Sequence, residues 1–456
     1  MLRRLLVAGL AALAFAAPAS AFSQEEGVET MDDGVTIALT RYTPGGAPPA
    51  GGWPGVLVLH GLGGTRGTVD QVARLLVAGG YAVLAYDARG HGASGGEVTL
   101  AGPREVADLR LLRNAFARRP EVSDTRIGAW GISYGGGQIW NALAAGVPFA
   151  AVEVLETWTS LYDALWPQGL ARSGIVAGLA ASVAARSPLI AGLRDDADQS
   201  RNLGSIRTLT RERSVLQRAG GPGSITTPVY LFQGRVDFVF DLGQASAAFA
   251  ALGGPKKLYV GNFGHTPSTF PGADIAHVST ESRSWFDRFL KGTRNGVDTG
   301  GSVVIAKQGS ASARRTLAGL PATRSQTLTA RGTTTLGGNA VATRRARPLA
   351  RPLETWGGGT ARVTVSKLAS YPRLVVTVLA GDRVVAHGGL RPRAGVNVVR
   401  LANYCVFVPR GTRLRVVVGP SSPAGQLAYL GFAGSGSATI GPVTITLSAL
   451  RTPVSG

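Results

Sequence analysis

The sequence predicts an α/β protein, a mostly parallel sheet covered by helices on both faces, followed by a β-sandwich. Three observations carry this. Short apolar runs alternate with helical segments through the N-terminal half. Glycine, proline and aspartate punctuate the junctions. From about residue 301 the helical period disappears, and short Val/Thr/Leu runs recur with Gly-rich turns between many of them. With 456 residues, 45% hydrophobic and 16% charged, the chain can bury the cores of two or three domains and is not a disordered polymer.

Strands are expected at 35–42, 55–60, 81–86, 126–130, 150–154, 229–232 and 257–260, with helices such as 69–78 and 105–117 between them. In the latter, Val106, Leu109, Leu112 and Phe116 share one helical face. Residues 155–224 break the alternation. Inserted after the strand at 150–154, they would lie above the C-terminal edge of the sheet, where α/β sites open, and so read as a lid or cap. Further on, runs at 326–330, 361–368, 373–379, 396–401, 412–418 and 443–449 give the sandwich. The expected division is 1–21, 22–299 with the cap at about 155–224, and 300–456.

Residues 1–21 read as a cleavable signal peptide. Arg3 and Arg4 precede an apolar stretch, and Ala19-Ser20-Ala21 fits a signal-peptidase site. The stretch is shorter than the roughly 20 residues of a membrane span. A secreted or extracytoplasmic protein is therefore expected. Cys405 is the only cysteine, which excludes an intrachain disulfide and reads as a small buried hydrophobe. The formal charge of +20 is uneven: residues 300–456 hold 20 basic and 2 acidic side chains, whereas 22–299 balance. No nucleic-acid motif accompanies this excess. Contact of the basic region with an anionic envelope surface is the partner expectation; the sequence leaves the oligomeric state open.

Chemistry enters at Gly131-Ile132-Ser133-Tyr134-Gly135. This G-x-S-x-G run follows a strand and precedes a helix-like segment, the context of a strained turn that lifts a serine hydroxyl out of an α/β-hydrolase sheet. Ser133 is the expected nucleophile. In this fold the acid and then the histidine follow the serine along the chain. His265, in the loop after the strand at 257–260, is the expected base. Asp237, in the loop after 229–232, is the expected acid, with Asp241 as runner-up and more naturally a helix cap. Oxyanion donors are expected from the backbone N–H groups of Tyr134 and Leu62, the latter in His60-Gly61-Leu62-Gly63-Gly64. His60 and His91 read as loop-shaping, and His277 as structural.

No metal-binding motif is present in the sequence, and none is expected. Gly90, Gly92 and Gly95 match G-x-G-x-x-G spacing but lack the strand–helix context of a dinucleotide site, so no cofactor is expected.

Tyr86-Asp87-Ala88-Arg89-Gly90-His91-Gly92, Gly131 to Gly136, Gly234-Arg235-Val236-Asp237 and Phe263-Gly264-His265 together resemble the X-Pro dipeptidyl-peptidase and cocaine-esterase-like serine hydrolases. That resemblance implies a hydrolase core, a helical cap and a C-terminal jelly roll, with Ser133, Asp237 and His265 as triad. The chain departs from many such relatives in one respect. Their second oxyanion donor is a tyrosine hydroxyl, and Leu59-His60-Gly61-Leu62-Gly63 carries none.

The substrate expectation is a small ester, amide or short peptide, cleaved through an acyl-enzyme. An X-Pro dipeptidyl-peptidase is the alternative, and a non-catalytic envelope-binding protein the further one. Trp158, Leu165, Trp166 and Leu170 are candidate walls of an acyl pocket. Glu156, with Glu153 and Asp163, is a candidate for holding a substrate amino group.

Overall fold

The computed structural model describes residues 22–199, 201–218, 220–423, 428–430 and 436–456. The expected signal peptide lies outside the described residues. The first sheet holds β1 (Phe22–Thr30), β2 (Thr36–Pro44), β3 (Trp53–Leu59), β4 (Ala82–Tyr86), β5 (Val122–Ile132), β6 (Ala151–Leu155), β7 (Val229–Gly234), β8 (Lys256–Gly261), β9 (Val303–Ala306) and β10 (Arg314–Leu317). Their spatial order is β1-β2-β4-β3-β5-β6-β7-β8-β9-β10. It is parallel from β4 through β9 and antiparallel at both ends.

Continuous apolar runs make these strands because both faces are covered. In β3, Leu57 and Leu59 join Leu109 and Ile139 on one face, while Val56 and Val58 join Val77 and Trp285 on the other. The helices responsible are α1 (Asp70–Ala78), α2 (Pro103–Ala117) and α3 (Tyr134–Ala144), followed by the cap helices α4 (Leu161–Leu165), α5 (Ser173–Val183), α6 (Pro188–Gln199) and α7 (Leu203–Arg211). After β7 come α8 (Leu242–Ala251) and α9 (Ile275–Leu290). The cap follows β6 directly, where the sequence expected it. Among the described residues no helix is long and apolar enough to cross a membrane.

A change of fold at residue 300 needs correction. β9 pairs parallel with β8, and β10 pairs antiparallel with β9, so the first sheet runs on to Leu317. The Gly-rich stretch before Val303 is a connection within that sheet.

The remaining strands are β11 (Thr323–Ala330), β12 (Thr334–Gly337), β13 (Ala342–Arg345), β14 (Leu353–Ala369), β15 (Leu374–Ala380), β16 (Arg383–Leu390), β17 (Gly395–Leu401), β18 (Phe407–Val408), β19 (Arg415–Gly419) and β20 (Ser437–Leu450). One sheet is ordered β11-β20-β14-β17, with β12 on β20 and β18 on β14; the other is β13-β19-β15-β16. Strand alternation explains the scattered charge. Ala361, Val363 and Val365 face inward, while Arg362 and Arg400 are exposed.

Candidate active site

Four neighbouring parallel strands, β5 to β8, end side by side and deliver one serine, one histidine and two carboxyls to a single point. β5 turns into α3 at Ser133, whose φ of +53° is in the left-handed region. Its N–H donates to Leu155 O at 2.8 Å, which ties the turn to β6. Glycine is required around it. A Cβ on Gly135 would meet Leu59 O at 2.4 Å, and one on Gly131 would meet the Gly135 carbonyl carbon at 2.6 Å.

Asp237 and His265 come from the loops after β7 and β8. Those loops approach so closely that a Cβ on Gly234 would stand 2.2 Å from Phe263 O. His265 Nε2 lies 2.9 Å from Ser133 Oγ, and His265 Nδ1 lies 2.7 Å from Asp237 Oδ2. The other Asp237 oxygen accepts the N–H groups of Val239 and Phe240, each at 2.9 Å. Burial opposes the charged imidazole, but the Asp237 carboxylate and its hydrogen bond, helped by Glu156, hold the His265 pKa above the ordinary imidazole range. Asp241 caps α8 by accepting from Gly243 N–H at 2.9 Å and receives Asn403 N–H at 2.8 Å. The imidazole is hydrogen-bonded by Asp237 rather than by the runner-up.

Of the expected oxyanion donors, Tyr134 opens α3 directly after the serine. Leu62 sits in a turn closed by Gly64 N–H on Gly61 O at 3.0 Å. That turn overlies the serine, since a Cβ on Gly61 would be 3.6 Å from Ser133 Cβ. His60 shapes it. Its Nε2 accepts Ala88 N–H at 3.0 Å, which leaves Nδ1 to donate to Gly61 O at 2.7 Å. Burial pushes its pKa down to about 4, so it stays neutral.

The expected substrate-pocket residues separate. Trp158 is buried, donates its indole N–H to Arg213 O at 2.6 Å and fills the space beside Gly137, behind the nucleophile turn. Leu165 and Trp166 are also buried in the large apolar cluster. These three are packing residues in this structure. Glu153 points to the α9 side, where Ser282 Oγ donates to it. Asp163 accepts from the Ser160 hydroxyl at the start of α4. It borders a cleft of about 320 Å³ lined by Tyr162, Arg207, Arg211 and Arg400, away from the triad. Glu156 alone reaches the triad, with Oε2 3.9 Å from His265 Nδ1.

Glu156, Asp237 and His265 place ligand atoms within 4.8 Å of one another, a grouping that no sequence spacing announces. The Nδ1–Oδ2 hydrogen bond already occupies two of the atoms a cation would need. Phe240 was not anticipated from sequence. Its ring meets His265 edge-on at 5.6 Å, and Trp158 stands 5.3 Å behind it. Arg172 was missed too. From the cap it donates to the carbonyl oxygens of Phe238 and Val239 and so supports the acid loop. Irregular loops carry no periodic signal, so only the proximity of Phe240 to Asp237 could have marked it.

Sheet, strained serine and ordered relay are those of a serine hydrolase of the α/β-hydrolase class. The chain belongs to the X-Pro dipeptidyl-peptidase (S15) family, whose family model matches residues 33–267. A probable dipeptidyl-aminopeptidase B of Aspergillus oryzae is 32% identical over 191 residues, covering 36% of this chain and 21% of that protein. The chain thus spans about a fifth of the length of that relative. A quorum-quenching protein AidA of Acinetobacter baumannii is 35% identical over 107 residues, covering 22% of this chain and 34% of that protein. Among solved structures, a CocE/NonD family hydrolase from Staphylococcus aureus superposes with a TM-score of 0.69 at 14% identity, covering 93% of each chain. An aminopeptidase from a marine-sediment Thaumarchaeota archaeon gives 0.70 at 15% identity, covering 94% of this chain and 97% of that one. The two structural likenesses extend over both the α/β core and the C-terminal β-rich domain.

Proposed function

We propose that this protein hydrolyses a small ester, amide or short peptide through an acyl-enzyme formed on Ser133. The continuous relay from Ser133 Oγ through His265 to Asp237, at 2.9 and 2.7 Å, carries the reading. Ser133 Oγ attacks the acyl carbonyl as His265 Nε2 takes its proton, and Asp237 holds the imidazole orientation and stabilises its cation. The N–H groups of Tyr134 and Leu62 receive the developing oxyanion. His265 then protonates the leaving group, and water repeats the sequence to release the acid. Export on the strength of residues 1–21 belongs to the same proposal.

Family membership favours a second reading of the substrate, an X-Pro dipeptidyl-peptidase acting on a free amino terminus. A panel of p-nitrophenyl esters and Xaa-Pro p-nitroanilides separates the two. Preference for the anilides with a free amine promotes the peptidase, and preference for simple esters demotes it. Fluorophosphonate labelling tests the shared chemistry. Wild-type protein is expected to label and Ser133→Ala is not. An unlabelled wild type that turns over no substrate would leave the non-catalytic, envelope-binding reading.

A further inference from the structure

Glu156 is costly for a residue with no task. It is 2% exposed, its φ of +47° is in the left-handed region, and its Oε1 has no hydrogen-bond partner among the described residues. It follows β6 just as Asp237 follows the neighbouring β7, and Glu156 N–H on Phe232 O at 2.9 Å fixes the two strand ends together. Both carboxyls therefore converge on one imidazole nitrogen, Asp237 at 2.7 Å and Glu156 at 3.9 Å. Asp237 is already engaged by Val239 N–H, Phe240 N–H and the backbone N–H and ring Nδ1 of His265. Glu156 has only the imidazole.

We infer that Glu156 is a second positioning carboxyl of His265, one that gains an ionic partner whenever the imidazole is protonated, as it is on taking the serine proton. The inference rests on the proposed triad. A buried carboxyl facing a neutral ring is disfavoured as an anion; facing an imidazolium, it is favoured. Its contribution is thus greater in the transition state than in the reactive form whose imidazole is still neutral, the condition for accelerating chemistry. The shifts agree in direction: burial raises the Glu156 pKa, His265 lowers it again, and Asp237 adds repulsion. The groups facing the imidazole are Ser133 from β5, Glu156 from β6 and Asp237 from β7. Farther back, Arg172 and Asp241 face the acid loop.

The experiment measures kcat/KM against pH for wild type, Ser133→Ala, Glu156→Gln, Asp237→Asn and the Glu156→Gln/Asp237→Asn pair, each checked for folding by circular dichroism. Glu156→Gln should lower kcat several-fold with KM unchanged and move the acidic limb to lower pH, because one negative charge no longer supports the imidazolium. Asp237→Asn should keep residual turnover that falls at least another tenfold in the double variant, a larger factor than Glu156→Gln shows alone. An unmoved limb, or equal factors in the two backgrounds, overturns the inference and leaves the triad standing. Wild-type turnover by Ser133→Ala overturns both. Should Glu156→Gln not fold, Glu156→Leu, similar in size and apolar, is read by the same criteria.

Discussion

Arg235 and Glu354 form a buried ion pair that joins the loop carrying Asp237 to the C-terminal sandwich. Arg235 also donates to Ala306 O at 2.6 Å, and its carbonyl accepts Cys405 N–H at 2.8 Å. Glu354 receives the Ser455 N–H and hydroxyl at 3.0 and 2.6 Å. Phe238 stacks against His387 and Tyr404, at 5.2 and 5.3 Å. The acid loop is therefore held from both domains. Breaking such a pair leaves a buried charge without compensation, at about 3–5 kcal/mol. Glu354→Gln should lower the urea midpoint accordingly and reduce kcat/KM. Arg235→Met/Glu354→Leu should recover part of the stability only, since the Ser455 donors stay unmet. Equal midpoints for wild type and Glu354→Gln would refute the clamp.

Gly135→Ala tests the nucleophile turn. Its Cβ would press on the Leu59 backbone at 2.4 Å, and backbone cannot swing aside as a side-chain tip can. A loss of about 1–3 kcal/mol is expected, with fluorophosphonate labelling largely abolished. Normal labelling would show that the turn relaxes freely.

Asp237→Asn and Asp241→Ala should fail differently. The first removes the carboxylate partner of the His265 ring and should depress kcat. The second removes a helix cap and a bond to Asn403, costing about 1 kcal/mol of stability with most turnover kept. Thermal melts beside steady-state rates distinguish them; a kcat collapse in folded Asp241→Ala would contradict the assignment.

Glu153 gives a pH signature in stability. Burial raises its carboxyl from 4.5 to about 8, against the Ser282 hydrogen bond and with help from Glu281. Between these values the folded chain keeps a proton that the unfolded chain has lost, so stability falls as pH rises through that window. Glu153→Gln needs no such proton. Its Tm relative to wild type should rise by a few degrees between pH 5 and pH 8. A constant difference would show that Glu153 is not protonated in the fold.

The strands from 35 to 260 and the candidate site residues were legible because parallel strands buried on both faces must be apolar, and because the proposed nucleophile, acid and base each follow a strand end. Ser133, Asp237 and His265 could be named from that rule alone. The extent of the first sheet was not legible. Val303 to Ala306 and Arg314 to Leu317 have the same short β pattern as the sandwich strands, and only pairing with β8 assigns them.

By itself, then, the sequence determined the α/β class, the cap insertion and the chain order of the proposed triad, all written in local periodicity and in glycine-marked turns. Tertiary structure alone decided which loops meet. It turned Trp158 and Trp166 from candidate pocket walls into packing. It set Glu156 beside His265 and brought Glu354 to Arg235 across 119 positions of chain. Contacts of that kind depend on how sheets and helices stack, and pairwise proximity leaves no spacing in the sequence to read.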